Sequence, residues 1–158
     1  VNHWQIPAKE FDALEDGLKR TYGRARKAMG NAYDNPTMEN FHEWRKRVKY
    51  HRYHAFLLKR AWKPVIGEHY TQTKDLSDYL GDIHDLDILK RLATEEPDFR
   101  DLPCTPMLLE LIDRRQANLR GQCRKLGSLL FQEESGALAD RFAGYWRTWR
   151  ERKRSKTS

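Results

Sequence analysis

The sequence predicts an all-α fold, an antiparallel helical bundle of four to five long helices. Three observations predict it. Period-two alternation and β-branched runs are absent, so no segment reads as a strand. Apolar residues recur at three- and four-residue spacing over long stretches. Short, proline-marked connections separate those stretches, which makes consecutive helices antiparallel neighbours. With 158 residues, of which 39 % are hydrophobic, the chain has the material for the core of one domain.

The first helix is read over residues 7–33. Phe11, Leu14, Leu18, Tyr22, Ala25, Met29 and Ala32 form its apolar stripe. Asp34-Asn35-Pro36 ends it, with Asn35 as the next N-cap and Pro36 in the first helical position. The second helix is read over residues 36–62. Its stripe, Phe41, Trp44, Val48, His51, Ala55, Leu58 and Trp62, keeps strict 3-4 spacing, the pattern of a bundle seam. His51 lies on that seam and is expected to be a hydrogen-bonded core histidine.

The third helix is read over residues 65–93. Leu76, Leu80, Ile83, Leu86 and either Leu89 or Lys90 mark its buried side. Gly81 inside it costs about 1 kcal/mol relative to Ala and points to close packing or a bend. Residues 94–104 read as a loop. A fourth helix opens at Thr105-Pro106 and carries Leu108, Leu111, Ile112, Leu119, Leu126, Leu129 and Leu130. After an interruption at Ser135-Gly136, a last helix places Leu138, Phe142, Tyr145 and Trp149 on one side. Residues 1–149 are thus one bundle, and residues 150–158 a basic, disordered tail.

Charged residues make up 34 % of the chain, and no apolar run is long enough for a membrane span. No signal-peptide pattern is present. Two cysteines, Cys104 and Cys123, fit a reducing compartment and a cytoplasmic location.

The net charge is +7. Residues 141–158 carry +6 of it, which leaves +1 for residues 1–140. Any anion site in the body must therefore arise from segregated charge. The second helix segregates it most strongly. Between Phe41 and Arg60 there are seven bases and one acid, Glu43. At about 100° per residue, His42, Arg45, Lys49, Arg52 and Arg60 form a stripe beside the apolar seam, widened by Lys46 and Tyr53. Cations fixed along one rigid rod suit an anion with many regularly spaced charges, and the arginine fork matches phosphate oxygens.

The third helix has the opposite sign: six acids against Lys74 give −5 between Glu68 and Asp87. The plainer reading is that the two helices neutralise each other on a solvated face. The sharper one leaves part of the basic stripe aimed into a groove. Lys19 and Arg26, seven apart on the first helix with Gly23 between them, are further candidates. So is Arg115, which reads as lying inside the apolar stripe of the fourth helix, where an unpaired charge is costly.

Catalytic signals are weak. His84-Asp85 invites a metal-phosphohydrolase reading, yet adjacent helical residues diverge and no second cluster accompanies them. No CxxC pair, P-loop, GxGxxG or nucleophile elbow is present. No metal, no cofactor and no catalytic residue is expected.

The segments His42-Glu43-Trp44-Arg45-Lys46-Arg47-Val48-Lys49, Tyr53-His54 and Leu80-Gly81-Asp82-Ile83-His84-Asp85-Leu86 together resemble the CHAD family, the conserved histidine α-helical domain. Arg20 to Met29 before them and Arg114-Arg115 to Leu126-Gly127 after them support the resemblance. It implies a non-catalytic helical module that binds inorganic polyphosphate, in some members on polyphosphate granules or beside a CYTH-type domain. It implies polyphosphate contacts from His42, Arg45, Lys46, Lys49 and Arg52, with Lys19, Arg26 and Arg115 as further positions. Gly23 stands where members often carry another base. The chain resembles one half of a two-half architecture, closer to the C-terminal half, so a second half or a homodimer is an expected partner. The rival functions are a nucleic-acid binder using the basic tail and a phosphoanhydride hydrolase using Asp82, His84 and Asp85.

Overall fold

The computed structural model describes residues 10–155. Among these the fold is all-α, as the periodicity predicts. Its elements are α1 (Glu10–Asp34), α2 (Met38–Leu58), α3 (Glu68–Glu95), the short α4 (Pro97–Arg100), α5 (Thr105–Leu130) and α6 (Ser135–Arg154). A π-helical turn, Lys63–Gly67, leads into α3. Helix α1 packs on α2, α2 on α3 and α3 on α5, and α6 returns against α1. Contacts run late to early, as antiparallel neighbours require. A Cβ on Gly17 of α1 would meet His54 of α2, while Tyr33 stacks on Phe41. Arg45 reaches Gly81 and Phe56 reaches Tyr70.

The core follows the seams. Phe11, Leu18, Tyr22, Ala25 and Ala32 of α1 are buried, as are Phe41, Trp44, Val48, His51, Ala55 and Leu58 of α2. Leu76, Leu80 and Ile83 of α3 and Leu138 and Phe142 of α6 join them. The α1–α5 side closes through Tyr33, whose hydroxyl donates to the Arg120 carbonyl at 2.7 Å.

Several boundaries differ from expectation, each for a local reason. Pro7, the expected start of the first helix, lies outside the described residues. The N-cap of α2 is Thr37, not Asn35: Thr37 has extended backbone and its Oγ1 accepts from Asn40 N at 3.2 Å. Trp62 is not on the α2 seam. The helix stops at Leu58, Trp62 takes φ −150° and ψ 94°, and the helical period no longer applies. Its ring packs edge-on against Tyr145 at 4.5 Å. Residues 97–100, expected as loop, form α4. The Thr105 hydroxyl donates to the Phe99 carbonyl instead of capping α5. The break between α5 and α6 comes before Ser135, and Ser135-Gly136 already belongs to α6. Helix α6 continues to Arg154, past the boundary drawn at residue 149; residues 156–158 of the expected tail lie outside the described residues.

The buried stripe of α5 is rotated from the one expected. Ile112, Gln116, Leu119, Cys123, Gly127 and Leu130 face inward, while Leu111 and Leu129 are exposed. Arg115 is therefore exposed and not embedded in apolar surroundings. The polar residue that does occupy the buried face is Gln116. Its Nε2 donates to Asp87 Oδ1 at 2.6 Å, which meets its polar demand across the α3–α5 interface.

Candidate functional site

The basic stripe of α2 lies on the edge of that helix that faces α3. His42 and His84 bring their rings to 5.3 Å between centroids, at 36°. One turn on, the Arg45 guanidinium rests over Gly81: a Cβ there would lie 3.8 Å from Nε and 4.0 Å from Nη2. Gly81 thus faces the guanidinium, and a methyl group there would make ordinary van der Waals contact with it. Arg45 Nε is buried and makes no hydrogen bond. Lys49 and Arg52 continue the edge, half-buried, and Lys46 is exposed beside them. Arg52 sits 5.2 Å from the Tyr53 ring centroid, a cation–π distance.

The acids of α3 do not quench this edge. Among the described residues no ion pair within 4.0 Å joins α2 to α3. Arg47, not the stripe, holds Glu43 within α2 at 2.5 Å. Asp78 is taken by Lys74 of its own helix at 2.6 Å, and Asp87 by Gln116. Asp85 reaches back to His84 Nδ1 at 3.2 Å, a contact that the divergence of adjacent helical side chains did not suggest. His84, which the sequence placed only in the hydrolase reading and in the segment of residues 80–86, is thus brought beside His42 of the basic stripe.

Lys19, Arg26 and Arg115 are not gathered with the stripe. Helix α1 meets α2 through Gly17, at His54, and through Thr21. Lys19 lies on another face, against Gly136 of α6, and Arg26 pairs with Glu134 at 2.5 Å. Gly23 faces Ser135, which a Cβ there would meet at 3.5 Å, an ordinary contact. Arg115 is exposed on α5.

His51 is the core histidine that its place on the seam implied. It is fully buried, and its Nε2 lies 2.7 Å from Nε2 of His69 on α3. Burial first, then the neighbouring His69 and His54, holds its pKa well below the usual histidine value. Burial and then Arg141 lower that of His69 to about 4. Both rings are therefore neutral near pH 7, and they join α2 to α3 inside the bundle.

No group of three or more His, Cys, Asp or Glu among the described residues could hold a metal ion. No helix among them is long and apolar enough to cross a membrane.

Neither a curated protein nor a solved structure matches the chain. The family model of the CHAD domain matches residues 2–94, which include all of α1, α2 and the basic stripe, and α3 through His84 as far as Thr94. Helices α5 and α6, and with them Arg115, lie beyond the match. With more than half of its length matched, and with the histidine- and arginine-bearing edges of α2 and α3 inside the match, the chain belongs to the CHAD family, which is associated with polyphosphate binding.

Proposed function

We propose that the chain is a non-catalytic module that binds inorganic polyphosphate along the α2–α3 edge. His42, Arg45, Lys46, Lys49 and Arg52 supply the contacts, and His84 faces the same edge. The observation that carries this reading is the freedom of the stripe: an acidic helix packs beside it, yet among the described residues no carboxylate pairs with it. From Arg45 to Arg52 the stripe spans roughly 10 Å at 1.5 Å per residue. Binding then proceeds by multivalent neutralisation with release of counterions. The helices fix the cations in advance, so less side-chain entropy is lost. Lys19 and Arg26, turned to α6, and Arg115, exposed on α5, are left outside this site.

One observation favours a second reading. Tyr50, Tyr53 and Phe56 are exposed on α2 around the stripe, so rings able to stack on bases are not lacking. Competition separates the two. We expect long-chain polyphosphate to displace a single-stranded oligonucleotide, and the oligonucleotide to displace polyphosphate poorly. The reverse order would make nucleic acid the ligand.

Ile88, Leu89, Leu92, Phe99, Met107 and Leu111 are exposed on the segments that lead into and out of the α3–α5 connection. Together with the two-half architecture that the resemblance implies, they support a second copy of the chain as partner.

A further inference from the structure

Just past the end of α2 the structure holds a second cationic feature; it takes in Arg60, which the helical period placed on the stripe but which follows Leu58, where α2 stops. Lys59, Arg60, Lys63, Gly67, Glu68, Tyr70 and Thr71 line an open cavity of about 650 Å³. Its three cations make no ion pair within 4.0 Å among the described residues. Its one acid, Glu68, accepts from Gln72 Nε2 at 2.6 Å. Lys59 Nζ stands 4.0 Å from the Phe56 ring centroid and 4.7 Å from that of Tyr70. Two ring faces thus hold the ammonium in place before any ligand arrives. The Lys63 stem packs on Gly67, where a Cβ would come within 3.3 Å of Cγ.

Cations at a helix C-terminus also complement the helix dipole, and that role needs no ligand. It covers Lys59 and Arg60, at the end of α2. It does not cover Lys63, which lies past that end in the π-helical turn.

We propose that this cavity is a second phosphate anchor, so that one polyphosphate chain runs from His42 to Lys63 and is held at both ends of α2. The inference rests on the polyphosphate reading and extends it to a dependence on ligand length. Arg45 and Lys59, the C-cap of α2, are roughly 21 Å apart along the rod, farther than tripolyphosphate reaches, while Arg52 stands roughly 10 Å from Lys59. A tripolyphosphate seated on Arg45 and Lys49 therefore leaves the cavity open to a second one, and a long chain bridges the two with an avidity gain.

Calorimetric titration with tripolyphosphate and with a long linear polyphosphate tests this on three proteins: the parent, Arg60→Ala/Lys63→Ala and Arg45→Ala/Lys49→Ala. Arg60 and Lys63 are exposed and unpaired, so their loss leaves the bundle intact, which circular dichroism checks. The parent is expected to take two tripolyphosphates and each variant one. The Arg60→Ala/Lys63→Ala protein should bind the long chain about tenfold more weakly. Its logarithmic salt slope should be shallower by ~1.4, two contacts at about 0.7 each. If this variant keeps the parent's stoichiometry and long-chain affinity, the second anchor is refuted and the α2–α3 site stands. If the parent binds no polyphosphate at all, both readings fall.

Discussion

Among the described residues four buried side-chain nitrogens have no hydrogen-bond partner, and one of them belongs to His51. Its Nε2 meets His69 at 2.7 Å; the other nitrogen, Nδ1, makes no hydrogen bond. A buried acceptor tolerates that better than a buried N–H, which argues for His51 donating from Nε2 to His69. Protonating either ring would place a cation among Tyr22, Phe131 and Phe142, with Arg141 already near His69 and only Glu133 to offset it. The unfolded chain takes these protons near the ordinary value of 6.5, while folded His69 resists them down to about 4. Stability must therefore fall as pH drops from 6.5 towards 4, by up to about 3 kcal/mol for His69. Urea unfolding across that range should show the slope, and His51→Leu with His69→Leu should flatten it; an unchanged slope in the double variant would refute this account. His51 could be read from the sequence because it holds a position in a strict seam. Its partner could not, because His69 follows an irregular turn. Arg115 was misread for a related reason: one residue, about 100°, separates it from the face that Gln116 occupies.

Glycines report how closely the helices approach. A Cβ at Gly127 of α5 would come within 2.8 Å of Met29 Sδ and 3.0 Å of Trp44 Cζ2. Met29 can yield, but Trp44 is wholly buried and cannot. Gly127→Ala gains up to about 1 kcal/mol of helix propensity and loses about 1–3 kcal/mol to overpacking, so the net should be a loss of about 1 kcal/mol. Gly121 of the same helix has nothing within 4 Å of such a Cβ, and Gly121→Ala should gain roughly 0.5–1 kcal/mol. Opposite shifts in thermal midpoint are the expected result; shifts of the same sign would contradict the packing described. At this scale α2 was the most legible element, since every seam position from Phe41 to Leu58 is apolar or an aromatic ring. Helix α5 was the least. Its inward face includes Gln116, Cys123 and Gly127, while Leu111 and Leu129 point to solvent, so counting leucines rotated the stripe.

Exposed apolar side chains occur in two regions of the molecule. Tyr50, Tyr53 and Phe56 flank the cationic edge of α2, whereas Ile88, Leu89, Leu92, Phe99, Met107 and Leu111 are exposed on the segments that lead into and out of the α3–α5 connection. Sedimentation analysis should therefore detect self-association that Leu92→Glu with Met107→Glu abolishes without weakening polyphosphate binding. A monomer at all concentrations would remove the second copy as partner. The all-α architecture and the family were legible from the seams and the two motifs. The absence of pairing between α2 and α3 was not, because opposite charge on neighbouring helices predicts pairing and only side-chain placement shows otherwise. The most direct test of the central claim is a polyphosphate titration of Arg45→Ala/Lys49→Ala, one turn apart on the unpaired edge. The account predicts unchanged helicity and loss of long-chain binding by well over tenfold at physiological salt. Parental affinity in that protein would contradict it.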